Sequence, residues 1–281
     1  HLEILYWKNR RDDLSSVLNK LKDFQPFVAQ LERFDSCYPG PFVQLQFRIK
    51  EANEEAEEIH KFLAPLSPLV SKLSSESLEY AKIDSLFDPI LHYILLIWKH
   101  SVHYSSPTRL VLLLQLVCNS LIKQSQRFVS GSQIFALVNN DEAGEALGRL
   151  ESIIHTCQAF RDKVSLYTEI SAQQGRSSGG WKIQVGAVFA RLNEFSQRVA
   201  ELVEFVNTVL QFTRLEKIEF GGGSKGPELS RGVETIVERF KASVAAFQAA
   251  SEDVMEGGKS FEKNYSQFCV SIAELDKRVS H

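Results

Sequence analysis

The sequence predicts an all-α chain, an elongated array of helical bundles with about seven to nine helices. Three observations lead there. Apolar residues recur at helical spacing over long stretches, near-strict alternation is hard to find, and the interruptions are short and rich in Pro, Gly and Ser. A break in pattern near residues 130–145 divides the array into an N-terminal bundle, 1–135, and a C-terminal bundle, 136–281.

Helical pattern begins at once with Leu2, Ile4, Leu5, Tyr6 and Trp7. "DSCYPGPF", Asp35 to Phe42, interrupts it with two prolines around a glycine. The stretch "KEANEEAEEIHKF" carries Glu51, Glu54, Glu55, Glu57 and Glu58. So many like charges favour a solvated helix face, with an acidic docking surface as the alternative. Pro65 and Pro68 mark a helix end, since proline lacks the donor that the preceding turn needs.

Two apolar runs follow, "ILHYILLIW" from Ile90 and "LVLLLQLVC" from Leu110. Each is far shorter than the roughly 20 residues of a membrane span, and each holds a polar residue, His92 or Gln115. They read as buried core helices. Between them, Ser106 is placed to cap a helix that opens at Pro107.

Leu147, Leu150, Ile154, Cys157, Phe160, Val164 and Tyr167 form one more helical stripe. "SAQQGRSSGG", Ser171 to Gly180, reads as a loop, with the next helix beginning at Trp181. That helix carries Val185, Val188, Phe189, Leu192, Phe195, Val199, Leu202 and Val206 on one face. A last long stripe runs through Val233, Val237, Phe240, Val244 and Phe247.

Composition narrows the function classes. Of 281 residues, 44% are hydrophobic and 24% charged, as in an ordinary globular protein. The net charge of −3 argues against a nucleic-acid footprint, which needs a clustered basic surplus. Cys37, Cys118, Cys157 and Cys269 are scattered without a C-x-x-C, so they read as reduced, intracellular thiols. No signal peptide is legible, and the opening at His1 reads as a piece cut from a longer protein.

"RLEKIEFGGGSKGPELS", Arg214 to Ser230, is the stretch that most invites a chemical reading. A phosphate-cradling loop reads G-x-x-x-x-G-K-[ST] after a strand. Here Lys225 precedes Gly226 and Pro227 comes next, while the residues before it have helical pattern. A turn fits better: a helix ends near Lys217, and Pro227 with Glu228 restarts one. His100 and His103 lie at i, i+3 and could share a metal, but no third ligand follows at a recognised spacing. No catalytic constellation, cofactor site or metal site is called; the residues alone describe a helical interaction module.

Several motifs together resemble the N-terminal tail region of dynein heavy chains. Trp7, Arg10 and Leu14 match a W-x-x-R-x-x-x-L opening. Trp98, His100 and Ser101 match W-x-H-S, and Tyr104, Pro107 and Arg109 match Y-x-x-P-x-R. The most distinctive pattern is F-x-x-L-E-K-[IV]-E-x-G-G-x-K-G-x-x-L. Phe212, Leu215, Glu216, Lys217, Ile218, Glu219, Gly221, Gly222, Lys225, Gly226 and Leu229 match it, with Gly223-Ser224 where one residue is usual. Phe261, Tyr265, Phe268 and Leu275 resemble the close of the same region.

The resemblance, of axonemal type, implies a non-catalytic tail segment. Its ATPase motor and microtubule-binding stalk would lie far downstream. It further implies partners: a WD-repeat intermediate chain, light chains and other dynein heavy chains, with no nucleic acid and no membrane span. The implied place is the ciliary axoneme, with the cytoplasm as the alternative. A helical membrane-trafficking tether remains the other reading of function.

Overall fold

The computed structural model describes residues 2–31, 39–173, 180–217, 223, 225–251, 255 and 260–279. No strand occurs among them. The α-helices are α1 (Leu2–Asp23), α2 (Gln25–Leu31), α3 (Pro39–Glu58), α4 (Ala64–Leu73), α5 (Phe87–His100) and α6 (Pro107–Phe128), then α7 (Gly131–Asn139), α8 (Ala143–Gln173), α9 (Val185–Glu216), α10 (Gly226–Ala250) and α11 (Phe261–Val279). Eight of these exceed ten residues (α1, α3, α5, α6, α8, α9, α10 and α11), within the expected range.

The chain divides into two compact units. The first takes His1–Leu78, Ser85–Leu114 and Lys163–Gln184; the second takes Glu79–Asp84, Gln115–Asp162 and Val185–His281.

In the first unit, α1 has no buried residue, and the first buried side chain along the described chain is Ala56. The core therefore starts near the end of α3. It continues through a π-helical turn, Ile59–Leu63, directly into α4. Pro65 explains that turn. Proline cannot donate to the preceding carbonyls and its ring crowds them, so the helix widens and Ala64 N–H reaches back to the Ile59 carbonyl. The expectation that Pro65 and Pro68 end a helix needs correction: Pro65 stands in the first turn of α4 and Pro68 lies inside it. Both apolar runs lie on helices, but on α6 Leu112 and Leu116 leave half or more of their surface exposed, so that run is buried on one side only. Ile90, Leu91, Ile94 and Ile97 on α5 are fully buried, as is Leu110 on α6.

Trp181 closes this unit but does not begin a helix; α9 starts four residues later, at Val185. The indole is buried, and its Nε1 donates to Thr168 Oγ1 at 2.9 Å while its backbone N–H donates to Ser171 Oγ at 3.1 Å. Both acceptors sit on the last turns of α8, so hydrogen bonds fix the tryptophan where a helix start was expected. Gly180 makes the approach feasible, because a Cβ there would fall 2.6 Å from Ser171 Oγ and 2.8 Å from Ala172 N.

In the second unit, α7 opens with a capping box. Ser130 Oγ accepts from Gln133 N at 3.2 Å, and Gln133 Oε1 accepts from Ser130 N at 3.1 Å. The core here is aromatic. Phe205 of α9 meets Phe247 of α10 at 4.8 Å between centroids, Phe268 of α11 at 5.1 Å and Phe135 of α7 at 6.0 Å. Four helices thus share one fully buried ring. Each tilted or edge-on pair adds about 0.5–1.5 kcal/mol to the burial of its surface.

Candidate functional site

Two clusters gather the residues singled out by their sequence. The first surrounds the turn between α5 and α6. After Ile97 the helix ends at Ser101, which takes an extended backbone conformation. Three donors of this turn then converge on one carboxylate of α3. Ser101 Oγ reaches Glu58 Oε2 at 2.6 Å, Val102 N reaches Oε1 at 2.7 Å, and His103 N reaches Oε2 at 3.1 Å. Ser101 Oγ also accepts from Tyr104 N at 2.7 Å. Burial pushes the Glu58 carboxyl up, yet the bonds from Ser101, Val102 and His103 outweigh it and hold the group below the usual glutamate value.

Tyr104 is the second part of this cluster. Its hydroxyl lies 2.9 Å from Glu55 Oε1 and 3.1 Å from Glu3 Oε1, so one proton serves two carboxylates. Burial first, then the bond to Glu55 and the charge of Glu3, push the tyrosine well above its ordinary value, which keeps it a donor. Arg109 covers the ring with its guanidinium 4.5 Å from the centroid and donates to the His103 carbonyl at 2.8 Å. Pro107 opens α6, and Ser106 Oγ accepts from Arg109 N at 3.4 Å, the expected cap.

The glutamate run is therefore not one solvated face. Glu51, Glu54 and Glu57 are exposed, whereas Glu55 and Glu58, three residues apart and so neighbours on the helix, turn toward the 101–109 segment.

The second cluster lies where α9 ends and α10 begins. Phe212 and Phe240 stack with centroids 4.1 Å apart and planes within 5°. They floor a groove of about 340 Å³, along with Val209 and Val237 and with Asp141 and Lys241 also lining it. Asp141 has φ +65°, a left-handed conformation that aspartate tolerates. Gly226 N–H closes a turn onto the Gly223 carbonyl at 2.9 Å, and Pro227 occupies the first turn of α10 with Glu228 beside it. The helix α9 ends at Glu216, and residues 218–222, between it and this turn, lie outside the described residues.

Comparison with known proteins decides the family. The family described as "Dynein heavy chain, N-terminal region 1" matches residues 1–281. This chain belongs to the dynein heavy chain family.

Similar relatives of this dynein region include the "Dynein beta chain, flagellar outer arm" of Chlamydomonas reinhardtii, 34% identical over 281 residues. The "Dynein beta chain, ciliary" of Tripneustes gratilla is 31% identical over 287 residues, and "Dynein axonemal heavy chain 9" of Homo sapiens 28% over 286. Each match takes in 99% of this chain but 6% of the relative, so the chain spans a small part of those proteins' length. The family match lends nothing to the trafficking-tether reading.

Within the dynein region the resembling residues are placed as follows. Trp7 and Trp98 are half-buried, Arg10 and His100 exposed, and Tyr104 buried. Arg10 holds its guanidinium 4.1 Å from the Tyr6 ring centroid. Phe212 is buried; Lys217, Lys225 and Leu229 are exposed. Ile218, Glu219, Gly221 and Gly222 lie outside the described residues, as do the side chains of Leu215 and Glu216. His92 and His100 are both exposed, and no group of three or more His, Cys, Asp or Glu could hold a metal ion among the described residues. None of the helices searched there is long and apolar enough to cross a membrane.

Reading the sequence alone missed Glu3, Glu55 and Glu58 as partners of the 101–109 turn. No local signal singled them out, because the exposed Glu51, Glu54 and Glu57 lie at the same i, i+3 spacing.

Proposed function

We propose that this segment is a scaffold of the dynein heavy chain tail, contributing contact surfaces rather than catalysis. In that role it holds a WD-repeat intermediate chain and light chains, meets neighbouring heavy chains, and helps link a distant ATPase motor to the axonemal doublet. The observation that carries the reading is the end-to-end match to the N-terminal region of the heavy chain, with relatives named for flagellar and ciliary dyneins. The exposed apolar side chains of α1 to α3 support it. Phe27 on α2, Phe47 on α3 and Phe24 between α1 and α2 each leave more than half their surface in water, and exposed apolar surface is what contact sites use.

A pull-down from ciliary extract with the tagged chain, read by cross-linking mass spectrometry, tests the proposal. Cross-links from α1–α3 to an intermediate chain or a neighbouring heavy chain are expected. A folded, helical chain that captures none of these would overturn it.

A further inference from the structure

Among the described residues, positions 2–55 hold no buried side chain. Helix α1 lies along α3 through a half-buried row at helical spacing: Ile4, Trp7, Leu14, Leu18 and Leu21. On α5, by contrast, Ile90, Leu91, Ile94 and Ile97 are removed from water altogether. Half-burial leaves much of the hydrophobic gain unrealised, so packing holds α1 less firmly than it holds α5.

Polar groups supply part of the remaining hold. Arg11 Nε stands 3.8 Å from Glu57 on α3, but both side chains meet water, and pairs of that kind contribute little. The stronger tie is at the first turn of α1. Glu3 Oε1 lies 3.1 Å from the Tyr104 hydroxyl, which lies 2.9 Å from Glu55 Oε1 on α3. Tyr104 is itself buried, and a hydrogen bond in such surroundings is stronger than one in water. One hydroxyl of the α5–α6 turn thus joins the start of α1 to the end of α3. Arg109 Nη1, 4.0 Å from Glu55, offsets part of the negative charge gathered there.

We propose that α1 is a releasable strap, bolted to α3 and to the α5–α6 turn by the Tyr104 hydroxyl, and that it lifts while the core of the first unit stays folded. Lifting uncovers that hydroxyl and the two carboxylates that share it. This goes beyond the scaffold reading, because it concerns the chain alone and holds or fails whatever partners the tail has.

Hydrogen exchange of the purified chain, read by peptide mass spectrometry, tests it. In the unaltered chain the amides of α1 exchange about tenfold or more faster than those of Ile90–Ile97 on α5. Tyr104→Phe keeps the buried ring and removes the hydroxyl. The amides of α1 then exchange about three- to tenfold faster again, the effect of one net hydrogen bond, while α5 is unmoved. Glu3→Ala does the same. Glu3→Gln does not, because its amide oxygen still accepts from Tyr104. Tyr104→Phe combined with Glu3→Ala goes no further than either alone, since the two remove halves of one bond. Equal exchange from α1 and α5 in the unaltered chain would overturn the proposal. So would a Tyr104→Phe variant in which α1 and α5 rise together, which would assign the hydroxyl to the stability of the whole unit, or one in which neither rises.

Discussion

Ser101 Oγ donates to Glu58 Oε2 at 2.6 Å, although 43 residues separate the two in sequence. The same oxygen accepts from Tyr104 N at 2.7 Å, so it relays between the carboxylate and the turn that follows α5. Where α5 stops, its continuation is replaced by side-chain bonds to α3. The end of α3 and the start of α6 are thereby tied within the first unit.

Loss of that carboxylate should cost stability. Glu58→Ala leaves Ser101 Oγ, Val102 N and His103 N without their acceptor. Water reaches part of the site, so the cost falls in the lower half of about 1–3 kcal/mol. Urea denaturation at neutral pH measures it, and an unchanged midpoint would show that water replaces the carboxylate in full.

Acid should weaken the same tie. The native Glu58 carboxyl binds its proton less readily than an ordinary glutamate, so protonation favours the unfolded chain. Its contribution is complete above the ordinary glutamate value and is lost as pH falls through the lowered native value. Stability followed from pH 7 to about pH 3 should fall less steeply for Glu58→Gln than for the unaltered chain. Parallel curves would assign the acid sensitivity to other groups.

Phe205 is the ring shared by four helices of the second unit, and Phe205→Ala removes contacts to Phe135, Phe247 and Phe268 together. A cost of about 3–5 kcal/mol is expected, read as a lower denaturant midpoint. A loss below about 1 kcal/mol would mean that the rings close over the vacancy.

Gly180→Ala should disturb Trp181 specifically. The added methyl meets Ser171 Oγ and the Ala172 backbone within 3 Å, and backbone cannot swing aside as a flexible side chain would. The emission of Trp181 should shift to the red as Thr168 and Ser171 lose their hold on it. Trp7 and Trp98 each replaced by Phe make that signal readable, and an unshifted spectrum would show that the turn relaxes.

The cysteines should divide by reactivity. Cys118 is buried and its thiol pushed up to about 12; Cys157 is buried and pushed up to about 11, burial being the main cause in both. Cys269 is exposed. At neutral pH a maleimide should label Cys269 promptly and the two buried thiols only when the chain unfolds, as peptide mapping would show. Prompt labelling of Cys157 would reveal an opening motion that reaches the core.

Much of this protein was legible locally. Helical class follows from side chains spaced to meet one turn away, a relation that needs no distant partner; Val237, Phe240, Val244 and Phe247 illustrate it. The cap at Ser106 with Pro107 is equally local, since both act within a single turn. The motif around Phe212 to Leu229 pointed to the family for a different reason: its order of residues is itself the signal.

Tertiary structure decided the rest. Glu51 and Glu55 look alike in a run of acids, yet one faces water and the other accepts from Tyr104, because α5 and α6 bring that hydroxyl to α3. Pro65 stands in the first turn of α4, directly after a π-helical turn, and Pro68 lies inside that helix, so neither proline ends it. Trp181 lies before its helix because the end of α8 offers its two N–H groups acceptors that no neighbour in sequence could supply. The sequence by itself determined helical class and family, through periodicity and motif order. Which charge is buried, and against what, depended on groups tens of residues apart, since solvent exclusion and hydrogen bonding act through space and not along the chain.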